Sequence, residues 1–138
     1  MVKKLVSILF AIILSFEMIG TITAIDASTY DINGDAKFST LSISNKTAIC
    51  VSSYRNLSDN CYSITAVQSL EKRSWLMFWN TVGDKCTKTV TNKSDLSFTN
   101  YKYNLDAGTY RVKTVFTVVL KNGTSESVTV YSSEGKVN

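Results

Sequence analysis

The sequence predicts an all-β chain, an antiparallel β-sandwich of seven to eight strands behind an N-terminal signal peptide. Three observations carry that expectation. Over residues 110–120 the side chains alternate, with Tyr110, Val112, Thr114, Phe116, Val118 and Leu120 on one face and Arg111, Lys113, Val115, Thr117 and Val119 on the other. A period of two marks a half-buried strand. Asn122-Gly123 then supplies the positive φ that a tight turn needs, and a second β-rich run follows at residues 124–132, so the two runs read as a hairpin. Elsewhere turn signals recur at short intervals and no segment has convincing helical periodicity, which points to a sandwich.

The hairpin has two possible registers. A two-residue loop would set Val128 and Val130 opposite Thr117 and Val115. A three-residue loop with Gly123 as the left-handed residue sets them opposite Phe116 and Thr114. The second is preferred because it gathers the larger apolar groups on one face.

From the start, Lys3 and Lys4 form a positive n-region, residues 5–16 are an apolar run of twelve, and a small-residue cleavage site stands at Ala24, with Ala27 as the weaker choice. Residues 1–24 are therefore expected to be removed on export. A bilayer needs roughly 20 apolar residues, and the rival reading, an uncleaved anchor reaching to Ile22, would place Glu17 inside the span. No Cys precedes Cys50 to carry a lipid. Removing residues 1–24 takes two Lys and one Glu, and leaves 13 basic and 10 acidic groups, net +3, on a 114-residue chain that fits one domain. That mild charge could favour an anionic wall or lipid surface at low salt; there is no basic run, and nucleic acid is not an expected partner.

Residues 25–37 read as a flexible lead-in and 38–138 as the β domain. The lead-in holds Asp31, Asn33 and Asp35, spaced like the start of a calcium loop. Ala36 stands where that loop needs Gly and Ser42 where it needs an acid, so a solvated turn is expected and no metal. Strands follow at 38–43 and 47–53. Residues 61–72 alternate with Tyr62, Ile64, Ala66 and Leu70 on one face, and 75–82 are expected to pair with them across a tight turn at Arg73-Ser74. That register sets Leu70 against Met77, Gln68 against Trp79 and Cys61 against Cys86. Residues 83–95 read as a Lys- and Thr-rich loop with room for a short edge strand, and 96–103 as the next strand.

Three cysteines in an exported chain predict one disulfide and one remaining thiol. The register favours Cys61 with Cys86, leaving Cys50 as a small buried group; Cys50 with Cys61 is one alternative, and in an organism that forms few disulfides all three would stay reduced. The chain has no His, which removes Ser-His-Asp catalysis, an activator for a catalytic Cys and the commonest metal ligand. Glu71, Asp84, Asp106 and Glu126 could serve a two-carboxylate hydrolase only by converging, and nothing in their spacing makes them converge. Glu126 lies in an edge-prone strand, where a charge discourages aggregation.

The chain is thus expected to be non-enzymatic, without cofactor, and to act by binding an extracellular protein or a cell-surface glycan. Trp75 and Trp79, about 13 Å apart on one strand face, are read first as core residues beside Leu70 and Ile64, with stacking on sugars as the sharper alternative. Leu76 and Phe78, with Val67, would form an exposed apolar patch on the other face, the mark of a partner surface.

Two resemblances add to this. Leu105, Gly108 and Tyr110 resemble the tyrosine corner of immunoglobulin-like sandwiches, in which the phenol bonds back to backbone and pins a turn between the sheets; this implies an immunoglobulin-like fold and no activity. The order Leu70, Arg73, Trp75, Trp79, then Gly108, Tyr110, Arg111, Val112, Asn122, Gly123 and Ser125 to Ser127 resembles small secreted single-domain proteins of Gram-positive anaerobic bacteria. That resemblance implies export and a β fold and supplies no activity; as no segment after the signal is apolar enough to cross a membrane, no stable membrane insertion is expected after signal cleavage.

Overall fold

The alternation in residues 110–120 survives in three dimensions as the central strand of the molecule. A computed structural model describes residues 36–56 and 59–138, which lie in the compact unit Ile32–Asn138. The signal segment and the calcium-like Asp31, Asn33 and Asp35 lie outside the described residues. Eight strands run in order: β1 (Ala36–Ser44), β2 (Thr47–Arg55), β3 (Cys61–Arg73), β4 (Trp79–Thr91), β5 (Asp95–Lys102), β6 (Gly108–Leu120), β7 (Ser125–Tyr131) and β8 (Gly135–Val137). All pairs are antiparallel. The smaller sheet has the order β1-β2-β5 and the larger one β4-β3-β6-β7, with β8 continuing the β7 side of β6. In immunoglobulin lettering β1, β2 and β5 take places A, B and E, and β3, β6 and β7 take C, F and G, while β4 extends the second sheet beyond C.

The β6–β7 hairpin takes the bulged register. Phe116 faces Val128 and Thr114 faces Val130, Leu120 N–H donates to Thr124 O, and Gly123 sits at φ +86°. The tyrosine corner forms as well: Tyr110 Oη donates to Asp106 O at 2.7 Å. At the β1–β2 turn Asn45 and Lys46 both take positive φ, as a two-residue hairpin loop requires.

Side chains from the two sheets make two apolar clusters. One gathers Cys50, Leu70, Leu105, Tyr110, Val112 and Val137, the other Tyr54, Ile64, Leu96, Phe116 and Val118. Between them runs a buried polar bridge. Gln68 Nε2 donates to Ser52 Oγ, Ser52 bonds Thr114 Oγ1, and Ser39 Oγ donates to the same Thr114 oxygen, each at 2.7 Å. Four strands from both sheets are thereby tied at mid-height, which fixes how the sheets register on each other.

The β3–β4 pairing differs from expectation, and the disulfide falls with it. The connection is not a tight turn at Arg73-Ser74 but a five-residue loop, residues 74–78, after which Arg73 faces Trp79. A bulge at residues 83–85 then shifts the register further, so that Cys86 faces Gln68 rather than Cys61. Seven residues of β3 separate the two cysteines, about 23 Å along the strand, far beyond disulfide reach. No disulfide forms among the described cysteines. The expected loop at 83–95 is mostly strand: β4 is an edge strand with many exposed residues, so burial imposes no clear alternation on its sequence. Tyr62, expected to face inward, is the extra residue of a bulge between Cys61 and Ser63 against β6 and is turned to solvent.

Candidate functional site

The five-residue loop between β3 and β4 places four exposed large apolar side chains in consecutive positions. Trp75 is 88% exposed, Leu76 53%, Met77 66% and Phe78 67%. The loop is held from within. Ser74 N–H donates to Phe78 O, Met77 N–H to Ser74 O, and Phe78 N–H to Ser74 Oγ at 3.2 Å. Met77 closes the turn at φ +69°, a conformation that costs a side-chain-bearing residue strain. The apolar tip is therefore a structured protrusion. At its base a shallow groove of about 330 Å³ is lined by Lys72, Arg73, Ser74, Trp75, Asn80 and Val82.

Below the tip, the outward face of the larger sheet carries a packed ladder of charges and rings. Arg111 on β6 lies over Trp79 of β4 at 4.2 Å and over Tyr131 of β7 at 4.1 Å, measured to the ring centroids. Its Nε donates to Glu71 Oε2 on β3 at 2.8 Å. The rings and guanidinium shield Glu71, whose side chain is only 8% exposed although it points away from the core. Arg73 joins the ladder through Trp79 at 5.8 Å and an ion pair with Glu134 at 3.5 Å.

Trp75, Leu76 and Phe78 thus stand exposed on one loop, while Trp79 stands apart as a half-buried strand residue beneath Arg111. Neither tryptophan joins an apolar core cluster. The four acids named above do not converge. Glu71 is engaged by Arg111, Asp84 lies in the β4 bulge, Asp106 supplies the tyrosine-corner carbonyl, and Glu126 faces Val118, seven residues of β6 or about 23 Å from the Glu71 level. No cluster of three or more His, Cys, Asp or Glu suited to a metal occurs among the described residues. Burial pushes the Cys50 thiol up to about 11, a nearby Lys102 notwithstanding. It is a core group that stays protonated, and hence weakly nucleophilic, at neutral pH.

Two features were not legible in the sequence. Tyr101 and Tyr103 stack at 6.3 Å with rings 11° from parallel; their spacing of two on a strand was the available signal. The Arg111 ladder needs the β3–β6 pairing, which no local motif announces. No family model and no curated protein matches the chain. Among solved structures it is similar to wild-type OgpA from Akkermansia muciniphila (10% identity, TM-score 0.38, 77% of this chain and 30% of that one). It is also similar to catalytically inactive OgpA from the same organism in complex with an O-glycopeptide substrate, glycodrosocin (10%, 0.37, 80% and 33%). The chain spans about a third of the length of those proteins, and a likeness at this level carries no argument about function.

Proposed function

We propose that the chain is an exported, non-enzymatic binding domain that engages its target through the loop joining β3 to β4. The observation that carries this reading is the run of four large apolar side chains held in solvent by a loop that bonds to itself. Folding gains little from leaving such groups in water, and a contiguous apolar surface on a small domain marks a contact site. Dispersed carboxylates, together with a chain that lacks His, support binding over catalysis.

The test separates recognition from stability. Because residues 75 and 78 project into solvent, a Trp75→Ser, Phe78→Ser variant should melt within about 1 °C of the parent. It should lose retention on whichever envelope fraction, polysaccharide, lipid or protein, holds the parent. A parent that is retained by none of them, or a variant retained as well as the parent, would remove the tip from the function.

A further inference from the structure

Resting on the reading above, we infer that the target of the tip is the surface of an anionic lipid bilayer, entered peripherally by Trp75, Leu76, Met77 and Phe78. The shape is the first reason. A convex apolar point with only a shallow groove beside it cannot enclose a small ligand, which is normally taken into a concavity with converging polar groups. A sugar would also want hydrogen-bond partners, and the loop has few to give. Its one hydroxyl, on Ser74, accepts from Phe78 N–H and keeps only its O–H to donate, and its apolar side chains offer only the Trp75 indole N–H.

The second reason is that the loop carries part of its own backbone bonding. Three of its N–H groups are bonded inside the loop. Backbone entering a bilayer boundary must bring such bonds with it, because hydrocarbon supplies none. Third, the residue types and the charge fit. Trp and Phe are suited to the headgroup level, and Leu and Met to the acyl boundary just beneath it. Lys72 and Arg73 lead directly into the loop, and Lys136 lies on β8 beside Thr109 at the same end of the larger sheet. Glu71 is engaged by Arg111, and Arg73 and Glu134 offset one another at 3.5 Å, so the net positive charge at this end rests on Lys72 and Lys136. Long basic side chains around an apolar point can reach phosphate while their stems stay apolar.

The species to test is the unit Ile32–Asn138, which contains both apolar clusters and both tryptophans and excludes the apolar run at 5–16. With Trp79→Phe, Trp75 is the lone tryptophan. On adding phosphatidylglycerol/phosphatidylcholine vesicles its emission should shift to the blue, lose its quenching by iodide, and be quenched by bromine placed on the acyl chains. The converse variant, Trp75→Phe, should show none of this. Leu76→Ser with Phe78→Ser should weaken vesicle partitioning at least about tenfold, and Lys136→Gln about fivefold on anionic vesicles alone. A Trp75 emission unmoved by vesicles overturns the inference, as does equal partitioning of the serine variant. If the same tip captures a glycan or a protein while ignoring vesicles, the bilayer assignment fails and the binding reading stands.

Discussion

Arg111 touches an indole, a phenol and a carboxylate at once, and that crowding makes the outward face of the larger sheet behave partly as an interior. Glu71 is buried there by Trp79, Arg111 and Tyr131 rather than by the core. Breaking a buried pair from one side strands the other charge, which typically costs about 3 kcal/mol, whereas removing both charges costs much less. Arg111→Met should therefore destabilise by about 2–4 kcal/mol in urea unfolding, and Glu71→Met added to it should restore more than half of the loss. Arg111→Lys should rescue poorly, because an ammonium cannot lie flat between two rings and meet the carboxylate in the same geometry. If Arg111→Met costs less than about 0.5 kcal/mol, the ladder is a solvated ornament, with the energetics of an ordinary surface pair.

At the scale of the element, the two hairpins of the larger sheet show why one was legible and the other was not. β6 and β7 are joined by Asn122-Gly123, whose backbone freedom announces the loop, and their facing residues are apolar enough to pick one register. β3 and β4 are joined by Ser74, Trp75, Leu76, Met77 and Phe78, which contain no Gly, Asn or Pro and have the bulk of a strand. Local propensity therefore assigns the loop to the strand. The resulting five-residue error, with two more residues from the bulge at 83–85, moved Cys86 opposite Cys61, and it put both tryptophans on one face. The tyrosine corner was readable because its parts are adjacent in sequence, whereas Arg111 and Glu71 meet only through long-range pairing. Met77 records the same conflict in its φ of +69°. Met77→Gly should relieve that strain, less the extra freedom glycine has when unfolded, for a net gain of about 0.5–1 kcal/mol and a rise of a few degrees in Tm. The same change should weaken binding by the tip, since it deletes one of the four apolar groups. A fall in Tm would mean that the Met77 side chain braces the loop.

For the whole molecule the recurring problem is edges. A sandwich of this order leaves β1 and β5 at the margins of one sheet and β4 and β7 at those of the other. On one side two lysines bridge the sheets, Lys88 Nζ donating to Ser97 O and Lys102 Nζ to Asp84 O, and the bulge at 83–85 bends β4 away from a flat template. On the other side β8 comes so near β1 that a Cβ on Gly135 would stand 2.9 Å from Ile43 Cδ1. β1 lies beside β7 as well, but β7 is hydrogen-bonded to β6 alone, with Val128 and Val130 packed against the second cluster. Glu126 shares their spacing of two, and its Oε2 is buried with no hydrogen-bond partner among the described residues. A carboxylate turned toward the inner face of an edge strand costs stability in the monomer, and it makes a continuous apolar strand pair with another chain costlier still. Glu126→Val should consequently raise the unfolding free energy by about 1–2 kcal/mol while converting a monomer into a species whose sedimentation coefficient climbs with concentration. A variant that gains stability and remains monomeric at high concentration would show that the β7 edge is guarded by something other than Glu126. One that loses stability would show that the carboxylate is bonded in solution and belongs to the fold.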